Sequence, residues 1–183
     1  MAKGYPALAG LSDAAFAEEL APLRDRATGD GFVVVVKREL APAAETIGRV
    51  ERRGKTGSSM LDREDLERFT EIESVELPAG RAYLLTGIDT GGETRNVTPD
   101  DALETIVAAG RSPLTLDEGI ALVTHEPEAV AKNGGFSLLG SRCGDRRVTA
   151  LWISGNRPKL GWCWAGNPHT WLGSASCTER IGA

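Results

Sequence analysis

Apolar and polar positions along this 183-residue chain change period repeatedly, and each change marks an element. Ser12-Asp13-Ala14-Ala15-Phe16-Ala17-Glu18-Glu19-Leu20 opens on a capping residue and continues with apolar side chains at helical spacing. It predicts a helix over 12–28, with a break or kink at Pro22. Gly29-Asp30-Gly31 reads as a turn. Phe32-Val33-Val34-Val35-Val36 is β-branched and predicts a buried strand. Residues 46–52 alternate and suggest a second strand, followed by a polar turn at 54–57. Asp62 should cap a short acidic helix over 63–69. Residues 82–88 predict a strand, with a turn at 89–92 and a hairpin partner at 93–97.

The local signals are clearest over 98–133. Thr98-Pro99-Asp100-Asp101 places a capping residue, a proline and an acid where a helix starts, and Gly110 suits its C-terminal end. Thr115-Leu116-Asp117-Glu118 repeats the device for a helix ending near His125, and Pro127 can open a third short helix. From Phe136 the two-residue period returns. Residues 136–139, 148–153 and 159–164 predict strands, with a turn at 154–158 and a last short strand within 169–174. In 159–164, Leu160, Trp162 and Trp164 should share one face, and Lys159, Gly161 and Cys163 the other. The predicted fold is α+β in a single domain spanning 1–183. It has a mostly antiparallel sheet, a β-rich part over 31–97, a helical block over 98–133 and a Trp/Cys-rich β segment over 136–177.

Composition adds little to this picture: 41% hydrophobic and 26% charged residues are ordinary globular values. The opening residues lack the apolar core of a secretory signal, and no apolar run is long enough to span a bilayer. Three cysteines, an odd number, agree with a reducing compartment, so a cytoplasmic protein is expected. Sixteen of the 21 basic residues are arginine, which fits a GC-rich genome. The net charge of −5 conceals an asymmetry, because residues 135–183 carry +4 and the rest −9. So small a basic set on an acidic body argues against nucleic acid.

The scarce, chemically capable residues crowd into 141–177. All four tryptophans, all three cysteines and His169 lie there. Cys143, Cys163, His169 and Cys177 make a Cys₃His set of the type that zinc prefers, although 19, five and seven residues intervene and no C-x₂-C knuckle is present. The plainer reading is three buried thiols acting as small hydrophobes. Nucleophilic catalysis would use Cys163 with His169 as base, oriented by Asn167 or Asp145. Cys143 is the alternative nucleophile, in a Gly- and Arg-rich loop. A ligand pocket would draw on Arg142, Arg146, Arg147, Trp164, Asn167 and Trp171, with the arginines holding a carboxylate or phosphate. The structural alternative is that Arg146 and Arg147 pair with acids of the helical block, such as Asp117 and Glu118, and only support the fold. His125 and Glu118 share a helix face, and the helix dipole would favour a His125 cation. Gly54-Lys55-Thr56 is not a P-loop, because Arg49 stands where its first glycine is required.

SPLTLDEGIALVTHEPEAV, followed by FSLLGSRCGDRRV and LWISGNRPKLGWCWAGNPHTWLGSASC, resembles an uncharacterised actinobacterial protein family, a domain of unknown function. The resemblance runs from about Gly31 to the C-terminus. It implies a bacterial cytoplasmic protein and brings no activity, cofactor or catalytic residue with it. The expectation is therefore a small-molecule-binding protein, with enzymatic turnover open, using the C-terminal Trp/Arg/Cys/His residues for an anionic or aromatic ligand. The alternative is a structural or protein-interaction module, zinc-stabilised or homodimeric, with the Trp-rich hairpin as core or interface.

Overall fold

The computed structural model describes residues 3–28 and 31–183. In chain order it contains α1 (Tyr5–Leu8), α2 (Asp13–Arg24), β1 (Phe32–Val36), α3 (Ala43–Thr46), β2 (Glu51–Arg52), β3 (Lys55–Thr56), β4 (Ser58–Ser59), α4 (Arg63–Arg68), β5 (Thr70–Glu71), β6 (Ala82–Thr86), α5 (Pro99–Ala108), β7 (Ser112–Pro113) and α6 (Leu116–His125). There follow β8 (Gly135–Leu138), β9 (Ser141–Arg142), β10 (Arg147–Ser154), β11 (Arg157–Trp164), β12 (Leu172–Ser174), β13 (Ser176–Cys177) and β14 (Glu179–Ile181). The fold is α+β with mostly antiparallel pairing. No helix among the described residues is long and apolar enough to cross a membrane.

Two sheets organise the molecule. One has the order β1-β6-β14, and the other β12-β8-β10-β11-β4. Helix α6 lies between them. Its Leu116, Ile120, Leu122 and Val123 are buried with Val33, Val35, Tyr83 and Leu85 of the first sheet and Phe136, Leu138, Leu151 and Leu160 of the second. Gly119 permits that approach, since a Cβ there would come within 2.3 Å of Leu138. Leu20 and Leu23 of α2 cover the other face of the first sheet, against Val34, Ala82 and Leu84. Ala102 and Ile106 of α5 cover the other face of the second, against Val148, Ala150 and Cys163. Strand alternation thus gives both sheets two buried faces.

The capping signals act as read. Thr115 and Glu118 form a reciprocal capping box, Thr98 caps α5, and Asp62 accepts from the Asp65 amide at 2.8 Å. The β10–β11 hairpin turns at Gly155-Asn156, both at positive φ. Helix α2 runs through Pro22 unbroken and ends at Arg24, short of the 28 expected. The turn expected at Gly29-Asp30-Gly31 falls largely outside the described residues, since Gly29 and Asp30 are not among them.

Several expectations are corrected. Of residues 46–52 only Glu51–Arg52 is a strand, paired with β3; before it α3 passes into a 3₁₀ turn (Ile47–Arg49). The buried Ala43, Ile47 and Val50 follow helical rather than strand spacing. Residues 93–97 do not return on β6, whose partners are the distant β1 and β14. Instead Gly92–Thr94 is a 3₁₀ turn, closed by Thr94 Oγ1 donating to the Gly91 carbonyl at 2.8 Å and accepting from the Ser174 amide. Here two glycines meet back to back, because a Cβ on Gly173 would lie 2.2 Å from the Gly91 oxygen. Strand β7 interrupts the helical block, and the third helix is a single 3₁₀ turn (Pro127–Ala129).

Candidate functional site

The rare residues of 141–177 are divided between the two faces of one sheet. Trp162 and Leu160 face the main core, while Cys163 joins the cluster under α5. Trp164 is 47% exposed and meets Trp162 edge-on at 4.8 Å. On the opposite face Trp152 and Trp171 pair at 6.0 Å, and His169 lies 5.5 Å from Trp171. The His169 Nε2 atom is buried and has no hydrogen-bond partner among the described residues. Asn167 is exposed in the turn after β11, its amide bonded to the Trp164 carbonyl. A single contiguous site through Cys143, His169, Trp164 and Trp171 is not what forms.

The thiols are arranged for packing. Cys163 contacts Ser137 Oγ at 3.7 Å rather than His169, and burial pushes its pKa up. The Cys143 thiol donates to Asp145 Oδ1 at 3.2 Å, and burial together with that bond raises its pKa. Cys177, fully buried, is pushed up to about 11 by desolvation. These shifts disfavour the thiolate a nucleophile needs. All three cysteines are free, and among the described residues no group of three His, Cys, Asp or Glu side chains converges as metal ligands would.

The arginines are also committed. Arg147 forks onto Asp65 with two bonds of 3.1 Å, adds Asp145 at 2.9 Å, and lies over the Phe69 and Trp162 rings. Arg142 donates to the carbonyls of Leu139 and Ser141 in its own loop. Arg146 is 74% exposed, with Asp100 at 4.0 Å. The three are thus engaged separately. Arg146 does lie by Asp100, an acid of the 98–133 block, but neither Arg146 nor Arg147 pairs with Asp117 or Glu118. Those acids take other partners. Glu118, with 0% exposure, accepts Arg180 through both oxygens, together with the Tyr83 hydroxyl at 2.8 Å and the Thr115 amide at 2.8 Å. Asp117 Oδ2 accepts Arg38 Nε at 2.9 Å.

The cavities lie instead along α6. The largest of three along this helix, about 310 Å³, is lined by Lys3, Tyr5 of α1, Phe16 and Leu20 of α2, Val34 and Val36 of β1, and Thr124 and His125. The positions follow from the fold. Strand β1 is at the edge of its sheet, and Lys37 bonds Arg81, so the even-numbered residues of β1 turn their backbone groups away from β6. His125 lies beside that edge near the Val34 backbone, and the Tyr5 hydroxyl lies near Thr124. Burial lowers the His125 pKa and raises that of Tyr5. The His125 direction runs against the dipole-stabilised cation expected at this position. A ligand there meets an apolar wall, an imidazole, a hydroxyl pair and the Lys3 ammonium. Two smaller cavities, about 120 and 80 Å³, flank the Arg38–Asp117 pair at the other end of α6.

The whole chain, residues 1–183, matches the family described as "Family of unknown function (DUF5701)". The chain belongs to DUF5701. No curated protein and no solved structure matches it.

The DUF5701 match includes the N-terminal helices, beyond the Gly31 boundary at which the sequence resemblance stopped. The same helices, with Lys3 just before them, line the large cavity through Tyr5, Phe16 and Leu20. Sequence reasoning did not select these residues. Phe16 and Leu20 read only as part of the apolar stripe of a helix, no element was expected over 5–8, and no local pattern shows that α1 folds onto the end of α6. His125 was noticed, but for its position in the helix rather than its cavity.

Proposed function

We propose that this DUF5701 protein binds a small molecule in the cavity between α1, α2, β1 and the C-terminal end of α6. The ligand has an aliphatic or aromatic body and one anionic head. The body lies against Phe16, Leu20, Val34 and Val36, and the head is held by Lys3 and the polar groups of Tyr5, Thr124 and His125. The observation carrying this reading is a mainly apolar cavity of about 310 Å³ with several polar groups on its wall, within the size range of ligand pockets. Cytoplasmic residence belongs to the same proposal and is supported by three free, buried cysteines. An actinobacterial source is likewise proposed, supported by the arginine bias.

The test is titration with the fluorescent anion anilinonaphthalene sulfonate, followed by displacement with octanoate. The wild type should bind saturably, Leu20→Trp should abolish binding by filling the cavity, and Trp171→Ala should leave it intact. Loss of binding in Trp171→Ala but not in Leu20→Trp would return the ligand to the C-terminal aromatic cluster. A second reading, association through the Trp-rich hairpin, is favoured by one observation, the exposure of Trp164. It predicts a tryptophan spectrum that changes with protein concentration and not with either probe.

A further inference from the structure

We propose that the Arg38–Asp117 pair forms a second binding site, which takes the ammonium group of a small primary aliphatic amine. Asp117 sits in the first turn of α6, its side chain only 10% exposed. Oδ2 is held by Arg38, but Oδ1 is buried and has no hydrogen-bond partner among the described residues. A buried carboxylate oxygen without a donor is an unmet demand rather than a neutral feature. Arg38 cannot turn to serve it, because its other nitrogens are engaged by the Phe69 carbonyl at 2.9 Å and Glu71 at 3.3 Å.

Asp117 lines the cavities on both sides of the pair. The larger, about 120 Å³, is walled by Pro42, Ala43, Ala44 and Leu66, with Glu67 as a second carboxylate. That volume and that wall suit an alkyl chain of a few carbons. The smaller cavity adds Glu39 and Glu71 on the acidic side. Its Lys37 is occupied in donating to the Pro78 carbonyl at 2.5 Å. Acids outnumber bases on both sides, so a cation is attracted and an anion repelled. An ammonium supplies the missing donor to Oδ1 and offsets the excess charge in one group, which an alcohol of the same size does not.

The experiment follows backbone amide shifts of the full chain by NMR during titration with n-propylammonium chloride, and in parallel with sodium propionate and 1-propanol. Propylammonium should give saturable shifts centred on residues 38, 44 and 117, with neither control doing so. Asp117→Asn should weaken binding by about ten-fold or more, the loss of one charge-assisted hydrogen bond. Should that variant fail to fold, Ala44→Leu carries the test by filling the cavity without touching the ion pair. Its thermal unfolding should match wild type while propylammonium binding falls. Saturable binding of propionate, or of propanol equally with propylammonium, overturns the proposal. So do propylammonium shifts that never saturate, and unweakened binding in Ala44→Leu.

Discussion

The 141–177 segment and helix α6 use their chemistry in opposite ways. The segment holds the rare residues, yet its cysteines are packed as small hydrophobes and Arg142 and Arg147 are tied to neighbouring carbonyls and acids. Helix α6 has an unremarkable composition, yet one side of it anchors a buried ion pair and its two ends line the cavities. Rarity in a sequence therefore marked packing here. Tryptophan and cysteine are among the side chains that a sheet covered on both faces most readily buries. A cavity arises where elements distant in sequence fail to fill the space between them, and common residues line it.

The sharpest way to break the comparison is at Glu118. Arg180 and Tyr83 converge on it in the interior, so Glu118→Ala leaves a buried guanidinium unpaired. It should destabilise the protein by about 3–5 kcal/mol in denaturant unfolding. A change below 1 kcal/mol would mean that the interior of α6 is not the keystone described.

Arg147 tests the other region. If it is structural, Arg147→Ala should lower the stability of the free protein by about 1.5–3 kcal/mol, the range for hydrogen bonds to charged partners. An unchanged melting temperature with loss of a ligand response would restore the anion site in the C-terminal loop.

The smallest expected effect is a pH dependence. Burial lowers the folded-state pKa of His125 below the usual 6.5, so below that value the unfolded chain takes up the proton first. The His125 contribution to stability is present above pH 6.5 and is lost as pH falls through 6.5 toward the folded value. Asp117, raised above 3.8 by burial, contributes with the opposite sign at pH values above 3.8. His125→Gln should flatten the slope just below pH 6.5 in thermal melts. An unaltered slope would place the histidine in solvent rather than against the Val34 edge.

Much of the local structure was legible in the sequence alone. Capping residues, proline and glycine set the ends of α5 and α6. Two-residue alternation gave the β10–β11 hairpin and correctly separated Trp162 from Cys163. These outcomes depend on backbone hydrogen bonds and side-chain direction within a few residues. The period misled where a short apolar pattern fits both a helix and a strand, as in Ala43, Ile47 and Val50. Only the tertiary structure decided that β6 pairs with β1 and β14, that Glu118 meets Arg180, and that α1 closes a cavity against His125. Each of these contacts joins residues far apart in the chain. Their free energy comes from jointly excluding water and satisfying buried charge, which no single stretch of sequence encodes.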